Sequence, residues 1–519
     1  MNSSMSFKCF KEMTSKGKYA NTTSDAFYRA KKVATEILEG SVKEQYAILE
    51  DYCNQIRATN PGSTAILKTR IEGDKRYFER VYICLQACKE GFNRGCRPLI
   101  GVDGCFLKGY CKGMLLAAIG IDAVNAMFPI AYAVVEKENK SSWTWFLELV
   151  KEDLQIQNPQ SFCMLSDRQK GLEKALEKLF EGAEIRFCVR HLHANFKKDY
   201  PGLLLKQMLW AAARATTKEE WRRRMYDFKQ ISEPAYTWLS NKAPTEWTKS
   251  HFKEHVKCDM LCNNLCESFN AAIIGARDKT IIILLEKIRY WLMRRFCTKR
   301  ESVKKWVHPV GKRILDIIEK NKKVARHCLP TMSTLTTFEV NFMNIEVFVV
   351  DLYKRTCACR SFQLNGIPCG HALACIWFSN LDVMNFIDDF YKKVAFEATY
   401  SGAIQPMSSP DKWSMTTQNP ILPPPETSMP GRPKKSRRRE VDEPPPGATK
   451  ARRFGKANTC SNCKQPGHTM PTCKNAKVAT EHLTYKKPGR PKKKNPKPES
   501  VKRRERENRQ KARANGQYL

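Results

Sequence analysis

The chain has 519 residues, enough for two or three domains, and hydrophobic residues make up 42% of it, so it can bury a sizeable core. The net charge of +37 indicates a polyanionic partner, and residues 431–519 carry more than half of it, with 27 Lys and Arg against 7 Asp and Glu. The 21 cysteines are spread along a long chain, which argues against a small disulfide scaffold, and no signal-peptide or membrane-span pattern is present. We expect a reducing intracellular protein, located in the nucleus.

The first 90 residues are predicted to form a helical N-terminal segment. Residues 25–60 are typical of two helices, and Ser41-Val-Lys-Glu44 has the spacing of a capping box. Asn60-Pro61-Gly62-Ser63 is a turn signal that ends this run. Residues 64–90 alternate weakly, which predicts strands leading into the next domain.

Residues 91–300 are predicted to form one α/β domain with a mixed sheet. Three apolar, strand-like runs follow Pro98, namely PLIGVDGCFL, MLLAAIGID and MFPIAYAVVE. A helix from Ser141 to Leu154, the strand SFCMLSD, the helix QKGLEKALEKLF and the strand AEIRFCVRHL come next. Three hairpin-like strands followed by alternating helices and strands indicate an α/β sandwich.

A helical insertion rich in Trp and Arg is expected within this domain at residues 195–262, where Thr217-Lys-Glu-Glu220 is a second capping-box pattern. Its tryptophans are interpreted as packing residues. Residues 335–385 change to short strands around a Cys/His cluster.

From residue 401 the sequence becomes rich in proline and basic residues. This composition predicts disorder over residues 401–457 and 476–519, because too few apolar side chains are available to offset the entropy of ordering the chain. A small zinc module interrupts the disorder at residues 458–475.

The motif CSNCKQPGHTMPTC forms the core of this module. Its Cys-x2-Cys-x4-His-x4-Cys spacing offers zinc a tetrahedral set of soft and borderline ligands: Cys460, Cys463, His468 and Cys473. The spacing resembles that of the CCHC zinc knuckles of retroviral nucleocapsid proteins. Zinc knuckles bind single-stranded nucleic acid, so RNA or single-stranded DNA is an expected ligand.

A second Cys/His motif, CACRSFQLNGIPCGH, resembles the SWIM zinc finger. Its predicted ligands follow a Cys-x-Cys, spacer, Cys-x-His pattern: Cys357, Cys359, Cys369 and His371. The family uses this finger for contacts with DNA or protein. Both zinc sites have a closed set of four ligands, which is typical of structural zinc.

Two aspartates in strand-like runs are the candidate active site. Asp103 interrupts an apolar strand and Asp167 ends another, and a carboxylate in such a place is costly to bury unless it binds something. Two acids reached through a three-stranded meander and a helix indicate a ribonuclease H-like arrangement, in which the first strand lies beside the fourth. A third acid is expected from a later helix, and Glu267 is the candidate.

Other acids were weighed for the third position. Glu254 is the rival of Glu267, whereas Glu136 and Glu138 come early in the chain and are interpreted as loop charges. Phosphoryl transfer on DNA uses two divalent cations about 3.5–4 Å apart, for which carboxylates and Mg²⁺ or Mn²⁺ are suited. We assign Asp103 to both cations, with Asp167 and Glu267 each completing one.

The motifs LIGVDGCFLKG, FPIAYAVVEKENKSSWTWFL, LSDRQKGL, CVRH and NNLCESFN resemble the Mutator-like element (MULE) transposases of plants. The resemblance extends through the finger and the knuckle, over most of residues 25–475. It implies that Asp103, Asp167 and Glu267 are catalytic. The family also has a Cys-x2-His element, here Cys188 and His191, which supports the active site or contacts DNA, although both residues could instead be buried packing residues.

The chain departs from the family pattern at its start. Full-length family members usually carry an N-terminal Cys/His DNA-binding module, which Cys9 and its neighbours are not expected to supply. Recognition of terminal inverted repeats through such a module is therefore not expected from this sequence.

The basic tail contains two Gly-Arg-Pro cores similar to those of AT-hooks. Their residues are Gly431, Arg432, Pro433, Gly489, Arg490 and Pro491. An extended Arg-Pro segment fits the narrow minor groove of A·T-rich DNA. The alternative is a generic basic tail or a nuclear-localisation signal.

The leading hypothesis is therefore a Mutator-like DNA transposase, or a protein derived from one, that uses two Mg²⁺ for strand cleavage and transfer. The alternative is a domesticated, non-catalytic DNA-binding transcriptional regulator with the same fold. An RNA-binding protein is a third hypothesis, but it does not explain Asp103 or Asp167. The expected partner is DNA, with element terminal inverted repeats as one candidate target, and a homo-oligomer is expected if the chain transposes.

Overall fold

A computed structural model describes residues 23–109, 112–425, 460–463 and 470–475, together with Phe7, Phe10, Glu12 and Gln465. The chain forms two compact units, residues 1–441 and 442–519. Among the described residues, no helix has both the length and the apolar character needed to cross a bilayer.

Over residues 24–59, all of them described, the chain forms three helices where residues 25–60 predicted two: α1 (Ser24–Glu39), α2 (Val42–Ala47) and α3 (Leu49–Thr59). The capping box at Ser41 is confirmed, because its hydroxyl accepts a hydrogen bond from the Glu44 N–H at 3.1 Å and the Glu44 carboxylate accepts one from the Ser41 N–H at 3.2 Å. The backbone departs from helical geometry at Ile48 (φ −94°, ψ 9°), which divides the second predicted helix into α2 and α3.

A mixed sheet forms the centre of the first unit. Its first seven strands are β1 (Thr64–Glu72), β2 (Lys75–Cys84), β3 (Leu99–Phe106), β4 (Met114–Ile121), β5 (Met127–Val135), β6 (Cys163–Ser166) and β7 (Glu184–Phe187). They lie in the order β1-β2-β5-β4-β3-β6-β7. Pairing is antiparallel from β1 to β3 and parallel between β3, β6 and β7. The predicted mixed α/β sheet is thus present.

The parallel pair β3–β6 fixes the position of the two candidate aspartates. Gly101 of β3 lies opposite Leu165 of β6. Asp103 lies two residues after Gly101, and Asp167 lies two residues after Leu165. Because the two strands are parallel, the two aspartates lie level with each other on neighbouring strands.

Helices pack around this sheet: α4 (Gln86–Gly95), α5 (Lys140–Asp153), α6 (Lys170–Leu179), α11 (Asn264–Ala272) and α12 (Ile281–Val303). All residues of β4 are buried, which places this strand in the core with both faces covered. Between β7 and α11 the chain forms the helical insertion, with α7 (Val189–Asp199), α8 (Leu203–Arg214), α9 (Lys218–Ile231) and α10 (Glu233–Ser240). The insertion has its own core, in which Trp247 is fully buried, in agreement with a packing role.

A second sheet carries the Cys/His motif. Helix α13 (Lys312–Ala325) precedes the strands β8 (Cys328–Met332), β9 (Thr337–Phe342), β10 (Glu346–Asp351) and β11 (Thr356–Cys357). The short helices α14 (Ser361–Asn365) and α15 (Gly370–Phe378) complete this element, which we call the finger (residues 328–378).

The chain after the finger returns to the first sheet. Helix α16 (Lys393–Thr399) packs against α4 at Gly91 and Gly95, where an added Cβ would lie 2.2 Å from backbone oxygens of α16. Strand β12 (Ile421–Leu422) pairs in parallel with β2, and Trp413 is buried. The prediction of disorder from residue 401 is therefore wrong for residues 401–425, because apolar side chains within this Pro-rich stretch enter the core; residues 426–459 and 476–519 lie outside the described residues.

Arg360 makes a set of hydrogen bonds that connects the finger to the insertion. Arg360 adopts a left-handed backbone conformation (φ 62°) and sends its guanidinium into the insertion. It donates to the Glu254 carboxylate at 2.8 Å. It also donates to four backbone oxygens of the insertion, those of Ser250 at 2.8 Å, Lys249 at 2.9 Å, Thr216 and Phe252. Leu364 of α14 enters the insertion core beside it.

We expect Arg360→Lys to destabilise the chain by roughly 2–4 kcal/mol, because an ammonium group cannot serve acceptors spread along a planar fork and leaves some carbonyls unpaired. Urea unfolding followed by tryptophan fluorescence would measure the loss. Arg355→Lys is the matched control, since Arg355 also has a positive φ (53°) but donates one described hydrogen bond, to the Asn385 oxygen at 3.0 Å. Equal midpoints for the two variants would contradict the clamping role of Arg360.

Candidate active site and zinc centres

The two candidate aspartates lie close together, with Asp103 inside β3 and Asp167 directly after the end of β6. The Asp103 carboxylate accepts hydrogen bonds from the Gly104 N–H at 2.9 Å and from the Asn270 side-chain amide at 3.0 Å. Asp167 directly follows β6, and its Oδ1 atom is buried without a hydrogen-bond partner among the described residues. A carboxylate oxygen in that state is available to a ligand.

Burial and like charges determine the protonation of this site. Burial raises the pKa of Asp103 to about 7, and the negative charges of Asp167 and Glu138 add to the effect. Burial also raises the pKa of Asp167, which His191 partly opposes, and burial together with Asp167 raises the pKa of Glu138. The three acids disfavour one another's ionisation, and a divalent cation bound between them would relieve this repulsion. Carboxylate oxygens are the ligands that Mg²⁺ and Mn²⁺ prefer.

Glu138 also lies at this site. Its early position in the chain predicts a loop charge, and not an acid of the site. It lies in the loop before α5, and a Cβ added at Gly104 would be 3.1 Å from its carboxyl carbon. The Trp143 indole N–H donates to Glu138 at 3.3 Å and orients it. Glu136, in contrast, pairs with Arg80 at 2.7 Å. No spacing in the sequence distinguishes Glu136 from Glu138, because the conformation of the loop determines which of the two faces Asp103.

Glu267 lies on α11, the helix that also contacts the aspartates. Asn270, one turn later, bonds Asp103 directly, whereas Glu267 forms an ion pair with Arg190 and is about 40% exposed. The rival Glu254 is bound to Arg360 of the finger. The structure therefore brings the helix of Glu267 to the site, with its carboxylate held by an arginine.

Asn263, which the sequence reasoning missed, joins α11 to both aspartate strands. Its side-chain amide donates to the Val102 oxygen of β3 at 3.0 Å and lies 3.4 Å from the Leu165 oxygen of β6. Gly101 makes room for it, since a Cβ there would lie 2.7 Å from Asn263 Oδ1. The signal was the spacing of Asn263, Glu267 and Asn270, which at i, i+4 and i+7 share one helix face.

The Cys188 and His191 pair borders the carboxylates. A hydrogen bond from the Cys262 thiol lowers the pKa of Cys188 well below its usual value and favours the Cys188 thiolate. A hydrogen bond to that thiolate then raises the pKa of His191 to about 9. His191 is thus a cation near Asp103 and Asp167, which fits a supporting role, and Cys262 is a third member that the sequence reasoning missed.

The four predicted ligands of the finger converge. The sulfur atoms of Cys357, Cys359 and Cys369 and a ring nitrogen of His371 all lie within 4.8 Å of one another. Cys357 Sγ is 3.5 Å and Cys369 Sγ 3.9 Å from His371 Nδ1. This donor set fits tetrahedral zinc with no open position, and the nearby Cys375 is a fully buried residue of α15 that packs in the finger core.

The knuckle belongs to the second unit, and the structure describes part of it. The sulfur atoms of Cys460, Cys463 and Cys473 lie within 4.8 Å of one another, which suits three ligands of one zinc ion. The Cys460 N–H donates to the Gln465 oxygen at 2.9 Å and closes the first turn. The fourth predicted ligand, His468, and the AT-hook-like residues lie outside the described residues.

The raised pKa of Asp103 predicts that Asp103→Asn stabilises the fold at neutral pH. In the folded chain Asp103 binds a proton more tightly than when unfolded, so stability falls as pH rises from about 4 to about 7. Without divalent cations, the variant should gain roughly 2–4 kcal/mol over the wild type at pH 8, and the gap should close below pH 4. Thermal unfolding at both pH values would measure this.

Divalent cations supply the control for this prediction. Mg²⁺ or Mn²⁺ should raise the Tm of the wild type but not that of the Asn variant, because a cation that binds only the folded state stabilises it. A variant that is less stable than the wild type at pH 8, or one stabilised equally by Mn²⁺, would show that Asp103 is an ordinary structural residue.

The two zinc sites together predict a zinc content of two ions per chain. Cys369→Ser and Cys473→Ser should each lower it to one, because each removes a ligand from a different site. Elemental analysis of the purified full-length protein would measure the content, with Cys375→Ser as the control that keeps two ions. A Cys369→Ser protein that still holds two ions would refute the assignment of the finger ligands.

Comparison with protein families gives two matches. Residues 99–195 match the MULE transposase domain, a range that holds Asp103, Glu138, Asp167, Cys188 and His191. Residues 348–377 match the SWIM zinc finger, a range that contains all four converging ligands of the finger. A search of curated proteins found no match. The chain thus carries a MULE transposase domain followed by a SWIM zinc finger, a domain composition that matches that of a Mutator-like transposase.

Proposed function

We propose that this chain is a DNA transposase, or a protein derived from one, that cleaves and transfers DNA strands at a ribonuclease H-like site. The proposal rests on the partly buried, mutually repelling carboxylates of Asp103 and Asp167, which lie side by side on neighbouring strands within the matched MULE domain. Asp103, Asp167 and Glu267 would hold two Mg²⁺ or Mn²⁺ ions. When bound, such ions stabilise charge on the attacking and leaving oxygens of a phosphodiester.

The protein residues contribute position and charge. Asn270 and the Gly104 N–H fix the orientation of the Asp103 carboxylate, and the parallel pair β3–β6 fixes its separation from Asp167. The imidazolium of His191 offsets part of the negative charge that the acids concentrate here. A site that is ordered before the substrate arrives avoids the cost of reorganisation during the reaction.

The ion pair between Arg190 and Glu267 favours a second candidate function. With its third acid held by an arginine, the same fold could serve as a domesticated, non-catalytic DNA-binding regulator. In the catalytic case Glu267 would have to leave Arg190 to hold a cation, which would free the guanidinium to contact a phosphate.

The remaining parts of the proposal concern partners and location. DNA is the proposed substrate, in agreement with the net charge of +37, and element terminal inverted repeats are a candidate target. The knuckle and the AT-hook-like cores would add contacts with single-stranded nucleic acid and A·T-rich DNA. Zinc in the finger and the knuckle would be structural, the nucleus is the proposed location, and a homo-oligomer is expected during transposition.

We expect the wild type to nick a supercoiled plasmid that carries the DNA flanking its gene, in the presence of Mg²⁺. Asp103→Asn and Asp167→Asn should reduce the rate at least about 100-fold, because each removes a cation ligand. Glu148→Gln is the control, since Glu148 is an exposed acid of the same domain. Conversion of supercoiled to open circles on agarose gels measures the rate.

Two further variants identify the third acid. Glu267→Gln should abolish nicking if Glu267 is the third acid, whereas a loss confined to Glu138→Gln would move that role to Glu138. Equal nicking by the wild type and Asp103→Asn would refute the catalytic proposal. DNA binding without nicking, in a wild type that binds no Mn²⁺, would favour the regulator.

A further inference from the structure

A cleft of about 500 Å³ lies beside the candidate active site in the first unit. Its walls are the β4–β5 turn, helices α11, α12 and α13, and the segment that follows α14 in the finger. Four cationic side chains line it, namely Arg97, Arg295, Lys299 and Arg313, whereas Asp259 is the acid among the lining residues and is paired with Lys249. The cleft is therefore a positively charged depression.

The cations of α12 and α13 repel one another there. Burial lowers the pKa of Lys299, and the charges of Arg295 and Arg313 lower it further. One carboxylate, Asp122, faces Lys299 at 3.9 Å. It is fully buried and already accepts hydrogen bonds from the Val124 and Ala126 N–H groups and from Tyr400. Asp122 thus offers Lys299 a carboxylate whose acceptor capacity is largely used, whereas Arg295 and Arg313 have no carboxylate partner among the described residues.

Donors in the cleft are also unsatisfied. The Nε–H of Arg295 is buried and has no acceptor among the described residues, and neither has the Nε–H of Arg97 behind it. Arg313 donates to the Asn125 oxygen at 2.9 Å and is otherwise exposed. An anionic ligand would relieve both the repulsion and the missing hydrogen bonds.

The cleft and the carboxylates lie on adjacent faces of α11. Asn264 and Ser268, four residues apart, line the cleft, whereas Asn270 contacts Asp103 and Glu267 lies one turn before it. A ligand in the cleft is thus about one helix diameter, ~10–12 Å, from the aspartates. At a rise of about 3.4 Å per nucleotide, that is roughly three steps along a DNA strand.

We propose that this cleft binds the phosphodiester backbone of duplex DNA a few nucleotides from the bond to be cleaved. The inference rests on the proposed function, since it takes DNA as the substrate. The cleft joins charged guanidinium and ammonium groups with the amide of Asn264 and the hydroxyl of Ser268, the residue types that contact phosphates without reading sequence. Its binding should therefore be independent of base sequence.

Charge reversal at the rim tests this site. Arg313→Glu should weaken binding of a random-sequence duplex by about tenfold, and the slope of log K against log salt should fall by about one. Lys312→Glu is the matched control, because Lys312 is the exposed neighbour and does not line the cleft. Full-length proteins would be compared by fluorescence anisotropy without divalent cations, after equal Tm values show that both fold.

Acylation of Lys299 provides a readout that the basic tail cannot supply. The duplex should protect Lys299 from acetic anhydride several-fold while leaving Lys312 reactive, as read by mass spectrometry, and Arg313→Glu should abolish the protection. Three results would each overturn the proposal. Lys299 could remain unprotected at saturating duplex, it could be protected by single-stranded DNA or RNA alone, or both rim variants could lose affinity equally. These assays do not depend on strand cleavage, so their outcomes are separate from failure of the catalytic proposal. Protection of Lys299 by a protein that fails to nick the plasmid would support the cleft while the catalytic proposal fails.

Discussion

The parallel pairing of β3 with β6 is the constraint on which the candidate site depends. It places two carboxylates side by side on neighbouring strands, where burial and mutual repulsion raise the pKa of Asp103 to about 7. Neighbouring elements then serve these acids. Asn263 binds both strands and positions α11, Asn270 orients Asp103, and the Cys188 thiolate keeps His191 cationic beside them. Much of the polar structure around the sheet can be understood as support for this unfavourable charge.

Asp103 and Asp167 could be predicted from the sequence because each interrupts or ends an apolar strand, and strand order follows from the alternation of elements. The finger ligands could be predicted because their spacing is local. Glu138 and Cys262 could not, since their contacts arise from loop packing that no spacing encodes, whereas the helical spacing of Asn263 from Glu267 and Asn270 was a signal for its position. Glu267 is the intermediate case: its helix was predicted, but the ion pair with Arg190 depends on how α7 and α11 meet.

The fold departs from the sequence-based expectation where a few apolar residues outweigh composition. Residues 401–425 have the proline content of a linker, yet Trp413 and Ile421 enter the core of the first sheet. The finger, which the sequence suggests is a separate module, is tied to the insertion by Arg360 and Leu364. A motif scan measures the spacing of ligands, not the surface on which the module rests, so neither contact could have been anticipated.

The return of the chain from the finger to the first sheet has a consequence for synthesis on the ribosome. The core around β2 and α4 includes Phe396, Tyr400 and Ile421, which are translated after the insertion and the finger. Those two elements can therefore fold while the sheet that carries the acids still lacks part of its core. The finger ligands would thus be translated before the core of the sheet is complete, and the strands that carry Asp103 and Asp167 would reach their final packing only after residue 421 has left the ribosome.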